Sequence, residues 1–197
     1  MKPVSDEAFE VLLSTMEMTM PISAGFKLLI RPLLVETEYK KGARILNFNE
    51  VPELVWFMLS GLAREIRVNA QTYAESTVWF WTDRSFLYTN PGFFSHEPSR
   101  TTIEILQDCR VVFISYGDWI RLKENVEDAE STIKKIRGAD DMKRFIHADH
   151  LQNLDTTQRY LDEQDTLNRI FQYTKLQYIA EYLGMSVDRL GKLRKRH

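Results

Sequence analysis

The stretch from Leu176 to Arg196, LQYIAEYLGMSVDRLGKLRKR, constrains this chain more than any other. Ile179, Leu183, Met185, Leu190 and Leu193 are apolar at spacings that suit two short helices packed across a tight turn. Ala180 falls where the second helix would cross the first, and a larger side chain there would push the two apart. Gly184 falls where the first helix must stop and reverse, a left-handed position that glycine takes without a Cβ penalty. Ser186 follows as the N-cap of the second helix, with Asp188 in its first turn facing the positive end of the dipole. That helix ends in Lys192, Arg194, Lys195 and Arg196. An ordinary helical hairpin with a solvated basic tail would share some of these features. The small crossing residue, the glycine turn, the serine cap and the apolar spacing agree on a DNA-binding helix-turn-helix instead.

The basic charge is local. From Val187 to His197 five basic residues stand against one acidic residue, whereas the whole 197-residue chain has a formal charge of -2. Nothing global therefore suggests nucleic acid, and the terminal stretch must supply the phosphate-binding charge. A hydrophobic content of 44% and a charged content of 27% are those of a soluble globular protein with room for one sizeable core and a small second domain. No apolar run approaches a membrane span, and MKPVSDEAFE is too polar for a signal peptide. The expected compartment is the cytoplasm. Cys109 is the single cysteine, which excludes an intrachain disulfide and an all-cysteine metal site. Beside Val111, Val112 and Phe113 it reads as a buried structural thiol.

Along the chain, residues 5–36 read as helical, with Phe9, Leu12, Leu13 and Met16 on one face and a second apolar helix from about Phe26 to Val35. From Tyr39 to Ser115 short apolar runs recur between turn residues: Ala43–Phe48, Leu54–Leu59, Ala63–Val68, Thr77–Phe80, Thr102–Leu106 and Arg110–Ile114. That rhythm predicts an antiparallel sandwich or roll, with Gly42 and Gly61 in turns. Residues 82–100 read as a loop or short helical insertion. After Trp119 the helical period returns. Val126, Ala129, Ile133 and Ile136, then Met142, Phe145, Ile146 and Leu151, form an apolar stripe. Gly138 weakens that helix by about 1 kcal/mol relative to Ala. Such a helix serves either as a dimer seam or as a cover for its own β domain. Residues 153–157 read as a hinge, and Arg159–Phe171 as the first helix of the C-terminal unit. The fold class is α+β, with boundaries at 1–120, 121–155 and 156–197.

This order resembles the CRP/FNR superfamily of bacterial transcription regulators over nearly the whole chain. The residues that carry the resemblance are Tyr39-Lys40-Lys41-Gly42-Ala43-Arg44-Ile45-Leu46 at the roll entry and Phe57-Met58-Leu59-Ser60-Gly61-Leu62-Ala63-Arg64 as a strand–Ser-Gly-Leu–strand hairpin. Arg159-Tyr160-Leu161 and Ile179-Ala180-Glu181-Tyr182-Leu183-Gly184-Met185-Ser186 resemble the DNA-binding half of the branch common in Bacteroidetes, which has little or no wing. Cyclic-nucleotide-binding members carry a Gly-Glu pair for the ribose and a Pro-Arg-Ala-Ala run for the phosphate. Here the comparable stretches read Asp83-Arg84-Ser85-Phe86 and Pro98-Ser99-Arg100-Thr101-Thr102-Ile103. The Glu is absent and Arg100 is displaced by one residue, which removes several hydrogen bonds to a buried polar ligand. The resemblance therefore implies a member not governed by cyclic AMP. Arg84 and Arg100 remain candidates for an unknown small anionic effector, against the plainer reading of two surface arginines. Trp79, Phe80, Trp81, Phe86, Tyr88, Phe93 and Phe94 line either an apolar effector pocket or a ligand-free core.

The resemblance also implies a homodimer that presents two recognition helices to successive major grooves of an inverted repeat in double-stranded DNA. Matched to the family's motif, Val187, Asp188 and Lys192 face base edges. Ser186, Arg189, Arg194, Lys195 and Arg196 hold phosphates, together with Lys175 and Gln177 at the start of the first motif helix. Two other classes compete. A cupin-type metal enzyme needs a compact His/Glu set on facing strands, but of His96, His147, His150 and His197 only His96 falls in the β region. No phosphate loop, catalytic triad or carboxylate pair is present, so no enzyme, cofactor or metal is expected. A non-DNA module, with the roll binding a partner or small effector, is the second alternative.

Overall fold

A computed structural model describes residues 1–69 and 71–196. His197 lies outside the described residues. The chain opens with β1 (Lys2–Pro3), which pairs antiparallel with β2 (Val35–Tyr39). Between them lie α1 (Asp6–Glu17), capped by the Ser5 hydroxyl, and α2 (Ala24–Ile30), capped by Ser23. The expected second helix stops short of Val35. Pro32 sits at the start of a 3-10 turn, Arg31–Leu33, and cannot extend the ladder, so the chain leaves as strand β2.

The roll is one antiparallel sheet of β1, β2, β3 (Arg44–Leu46), β4 (Leu54–Val68), β5 (Glu75–Trp81), β6 (Ser85–Leu87) and β7 (Thr101–Ser115). Its main path runs β1-β2-β7-β4-β5, with β3 beside β7 and β6 beside β4. Two sequence expectations need correction here. Gly61 is not a turn, and the segments on either side of it are one 15-residue strand. β7 runs alongside and pairs with both halves, so the chain bends through register shifts between Met58 and Ala63 instead of reversing. Gly61 is required at this bend: its φ is +122°, and a Cβ would lie 2.5 Å from the Cβ of Cys109. Likewise Thr102–Leu106 and Arg110–Ile114 are parts of the single strand β7. Residues 82–100 contain strand β6 and no helix.

Two helices follow the roll where one was expected. α3 (Tyr116–Asn125) starts on the Ser115 cap and ends at Val126, whose extended backbone separates it from α4 (Ala129–Asn153). α4 runs unbroken through Gly138. Leu154 and Asp155 are extended and break the helical run, a shorter interruption than the expected 153–157, since Asn153 still belongs to α4 and Thr156 and Thr157 already belong to α5. A capping box between Asp155 and Gln158 then starts α5 (Thr156–Asp162). The expected helix Arg159–Phe171 is interrupted at Glu163 and continues as α6 (Gln164–Ile170). The chain ends in α7 (Leu176–Tyr182) and α8 (Val187–Arg196).

Three apolar clusters hold this together. Leu46, Met58, Ile103, Ile105 and Val111 fill the roll, with Cys109 among them. Burial pushes the Cys109 thiol up to about 11, which makes it an inert packing group. A second cluster joins α1, α2, α3 and α4 to the sheet through Met16, Phe26, Phe93 and Trp119. The third is shared: Leu62, Phe80 and Leu106 of the roll pack with Tyr160, Leu167, Ile179, Leu183, Leu190 and Leu193 of the C-terminal helices. The terminal unit therefore sits directly on the roll of its own chain. Among the described residues, no helix is long and apolar enough to cross a membrane.

Candidate nucleic-acid interface

The turn between α7 and α8 is built by local chemistry. Met185 N–H donates to Ala180 C=O at 2.9 Å and Gly184 N–H to Glu181 C=O at 3.1 Å, the paired bonds of a left-handed helix stop. Gly184 has φ +60°, and a Cβ there would come within 2.7 Å of Arg159 Nη1 and 3.1 Å of Leu151 Cδ2. Arg159 in turn donates to the Gly184 carbonyl at 3.3 Å, which ties the turn to α5. Ser186 Oγ accepts from Arg189 N–H at 3.2 Å and caps α8. Ala180 is buried at the crossing, between Ile179 and the α8 residues Leu190 and Leu193.

α8 has one buried face, Leu190 and Leu193, and one outward face of Val187, Asp188, Lys192, Arg194, Lys195 and Arg196, all exposed. Lys192 and Asp188 form an i,i+4 ion pair at 2.7 Å, with the two side chains 63% and 76% exposed. At that exposure the pair is worth about 0.3–0.5 kcal/mol and opens readily toward a ligand. Arg194 lies 4.7 Å over the Phe171 ring, which holds its guanidinium near the surface without neutralising it. Lys175 and Gln177 are exposed at the start of α7; Gln177 donates to Glu181 Oε1 at 3.0 Å, and Lys175 lies over Tyr178.

Arg189 is placed differently from its neighbours. It is half-buried, and its Nε and Nη2 donate at 2.8 Å to the hydroxyls of Thr156 and Thr157. It fastens α8 to the start of α5 and leaves the outward face to the other cations. Sequence reasoning had no signal for this, because the partners lie more than thirty residues upstream.

The unit's seat on the roll was likewise not readable. α7 lies along the edge strand β5, where Thr77 N–H donates to Glu181 Oε2 at 2.8 Å. Arg64 of β4 is buried: Nε donates to Glu104 at 2.6 Å, Nη1 to Thr77 Oγ1 at 3.0 Å, and the guanidinium stacks 3.5 Å from the Tyr178 ring centre. Tyr182 packs edge-on against Phe80 and stacks at 4.1 Å on His147 of α4. An unpaired sheet edge is thereby covered and the motif's orientation is held by polar and aromatic contacts together.

Arg100 is exposed on the wall of a groove of about 1180 Å³ between the roll and α4. Arg84 is exposed in the turn between β5 and β6, at φ +62°, and does not line that groove. Some of the groove's polar groups are bonded to one another, whereas Arg144 Nη2 and His147 Nε2 on its wall are buried without a hydrogen-bond partner. Thr101 Oγ1 donates to Glu65 Oε1 at 2.8 Å and Arg144 Nη1 to Glu65 Oε2 at 2.6 Å, and outside the groove lining Ser99 Oγ donates to Thr89 Oγ1 at 3.0 Å. Tyr88 is buried and its hydroxyl lies 3.1 Å from Asp141 of α4. The crowded aromatics divide between the roll core, the shared cluster and the α3–α4 side. Among the described residues, no three His, Cys, Asp or Glu side chains gather as a metal site.

The same fold is found in solved structures of CRP/FNR-type regulators. The c-di-GMP responsive global regulator CLP of Xanthomonas campestris superposes with a TM-score of 0.65 at 18% identity, over 88% of this chain and 91% of its own. FixK2 from Bradyrhizobium japonicum gives 0.66 at 15% identity over 83% of each chain. The catabolite activator protein of Thermus thermophilus gives 0.51 at 12% identity, over 98% of this chain and 83% of its own. At such identities the likeness is one of fold. No protein-family model matches the sequence, and no curated protein matches it.

Proposed function

We propose that this protein is a sequence-specific DNA-binding transcription regulator of the CRP/FNR type that acts as a homodimer, not as an enzyme, and does not depend on cyclic AMP. The observation that carries the reading is the outward face of α8, where Lys192, Arg194, Lys195 and Arg196 stand exposed on a capped, firmly seated helix. Val187, Asp188 and Lys192 read base edges, while Ser186, Arg194, Lys195, Arg196, Lys175 and Gln177 meet phosphates. Arg189 acts by positioning α8.

The homodimer reading rests on α4. Ile136 and His147 are buried against the roll and the terminal unit, but Met142, Phe145 and Ile146 are 57%, 67% and 45% exposed on a contiguous stripe. Such a stripe on a long helix fits a second copy of itself. In this arrangement residues 1–120 form the sensor, 121–155, which hold the end of α3 and the long helix α4, the connection, and 156–197 the reader. Independence from cyclic AMP rests on the groove: Thr101 and Arg144 are already bonded to Glu65 there, and Tyr88 occupies buried space beside them.

The test is a binding selection from random duplex DNA with purified full-length protein, no effector added, at two salt concentrations. An enriched inverted repeat is the expected result. Binding that is blind to sequence, or no binding at either salt, would overturn it and favour a roll that docks a protein partner.

A further inference from the structure

A second cavity lies between the sheet and helices α1, α2, α3 and α4, and shares Tyr88 with the Arg100 groove. It has a volume of about 70 Å³, and Met16, Phe57, Phe93 and Ile114 are among its apolar walls. Phe94, Trp119, Ile133 and Arg137 line it and also line an outer groove of about 450 Å³ between α3 and α4. These four residues are shared by the apolar cavity and the surface groove.

The charges at this mouth are unusual. Arg137 of α4 lies 4.2 Å over the Phe94 ring and 5.6 Å over Tyr88, and its Nε is buried without a hydrogen-bond partner. Among the described residues no carboxylate pairs with it, and the same holds for Lys123 and Lys134 in the outer groove. The acidic groups nearby are Glu130 and Asp141 in the groove and Asp140 at the cavity; Asp140 is paired with Lys143, and Asp141 accepts from Tyr88. A guanidinium stacked in place, partly desolvated and unpaired beside an apolar cavity is costly unless an anion completes it.

We infer that this cavity and groove form a binding site for a small amphiphilic carboxylic acid, with its carboxylate on Arg137 and a short unbranched chain in the cavity. A cavity of about 150 Å³ is what takes up benzene, so about 70 Å³ leaves room for a chain of only about three carbons. Lys123 and Lys134 add long-range attraction for the anion. Because Ile133 and Arg137 both belong to α4, an occupied site bears on the helix that links the roll to the terminal unit. The inference stands independently of DNA binding.

The experiment is calorimetric titration of the full-length protein with butyrate and with butan-1-ol, and methyl NMR to locate the contact. Butyrate should bind saturably, about tenfold or more tighter than the alcohol, because a charge-assisted bidentate contact is open only to the acid. Arg137→Gln should lower butyrate affinity about tenfold and leave the alcohol unchanged. If that variant does not fold, Arg137→Lys, which keeps the charge but not the planar fork, should lose about threefold. Methyl resonances of Met16 and Ile133 should shift. Absence of saturable binding, equal affinity for acid and alcohol, unchanged affinity in the Arg137 variant, or shifts confined to the Arg100 groove would each overturn the inference.

Discussion

Arginine does opposite work in the roll and on α8. Arg64, Arg110 and Arg144 of the roll side are paired with Glu104, Glu36 and Glu65, at 2.6, 2.7 and 2.6 Å. The Glu36 and Glu65 side chains are only 2% and 6% exposed. Arg194, Lys195 and Arg196 are exposed at the end of a helix. Composition alone treats all of these as surface charge. Burial separates the groups that hold the fold from those free to meet a polyanion.

The sharpest way to break the contrast is Arg64→Ala. It strands the Glu104 carboxylate and removes the stack on Tyr178, so unfolding by urea should show a loss of about 3–5 kcal/mol. Arg194→Ala, Lys195→Ala and Arg196→Ala together should leave the urea midpoint within about 0.5 kcal/mol of wild type. The same triple variant should weaken binding to every DNA sequence alike and flatten the salt slope by about 2–3 per protomer, twice that for the dimer.

Glu36 sharpens the roll side through pH. Burial alone would raise its carboxyl, but hydrogen bonds from Arg110, Ser5 and Lys2 outweigh that and hold it at about 2. Its unfolded value is about 4.3, so the lowered value stabilises the fold above that pH and the contribution fades as pH falls toward 2. Thermal melts of wild type should therefore lose about 1–3 kcal/mol over that acid window, and Glu36→Gln should show a much flatter acid limb. The smallest effect belongs to the exposed side. Asp188→Asn should cost α8 about 0.3–0.5 kcal/mol in the absence of DNA, read as a slight drop in melting temperature.

The terminal motif was legible because its determinants are local. The Gly184 stop, the Ser186 cap and the Leu190–Leu193 face act within a few residues of one another, and a single strand of sequence carries them. Gly61 was misread for the same reason: glycine between two apolar runs reads as a turn, and only the partner strand β7, some forty residues on, makes it a bend. The early end of the second helix did have a local signal in Pro32. Arg189 did not, since its role depends on Thr156 and Thr157 across the unit. Of the two effector candidates, the structure puts Arg100 on a groove wall and Arg84 in a turn outside it. Arg137, which sits on an apolar cavity, looked like any other helix-surface charge.

The central claim is that the outward face of α8 reads bases. The most direct measurement is binding of wild type and Lys192→Ala to a set of duplexes that vary a selected half-site one base pair at a time. The account predicts that the variant loses about 1–3 kcal/mol of discrimination at one base pair in each half-site and little elsewhere. An equal loss on every duplex would reduce Lys192 to a phosphate contact and contradict the claim.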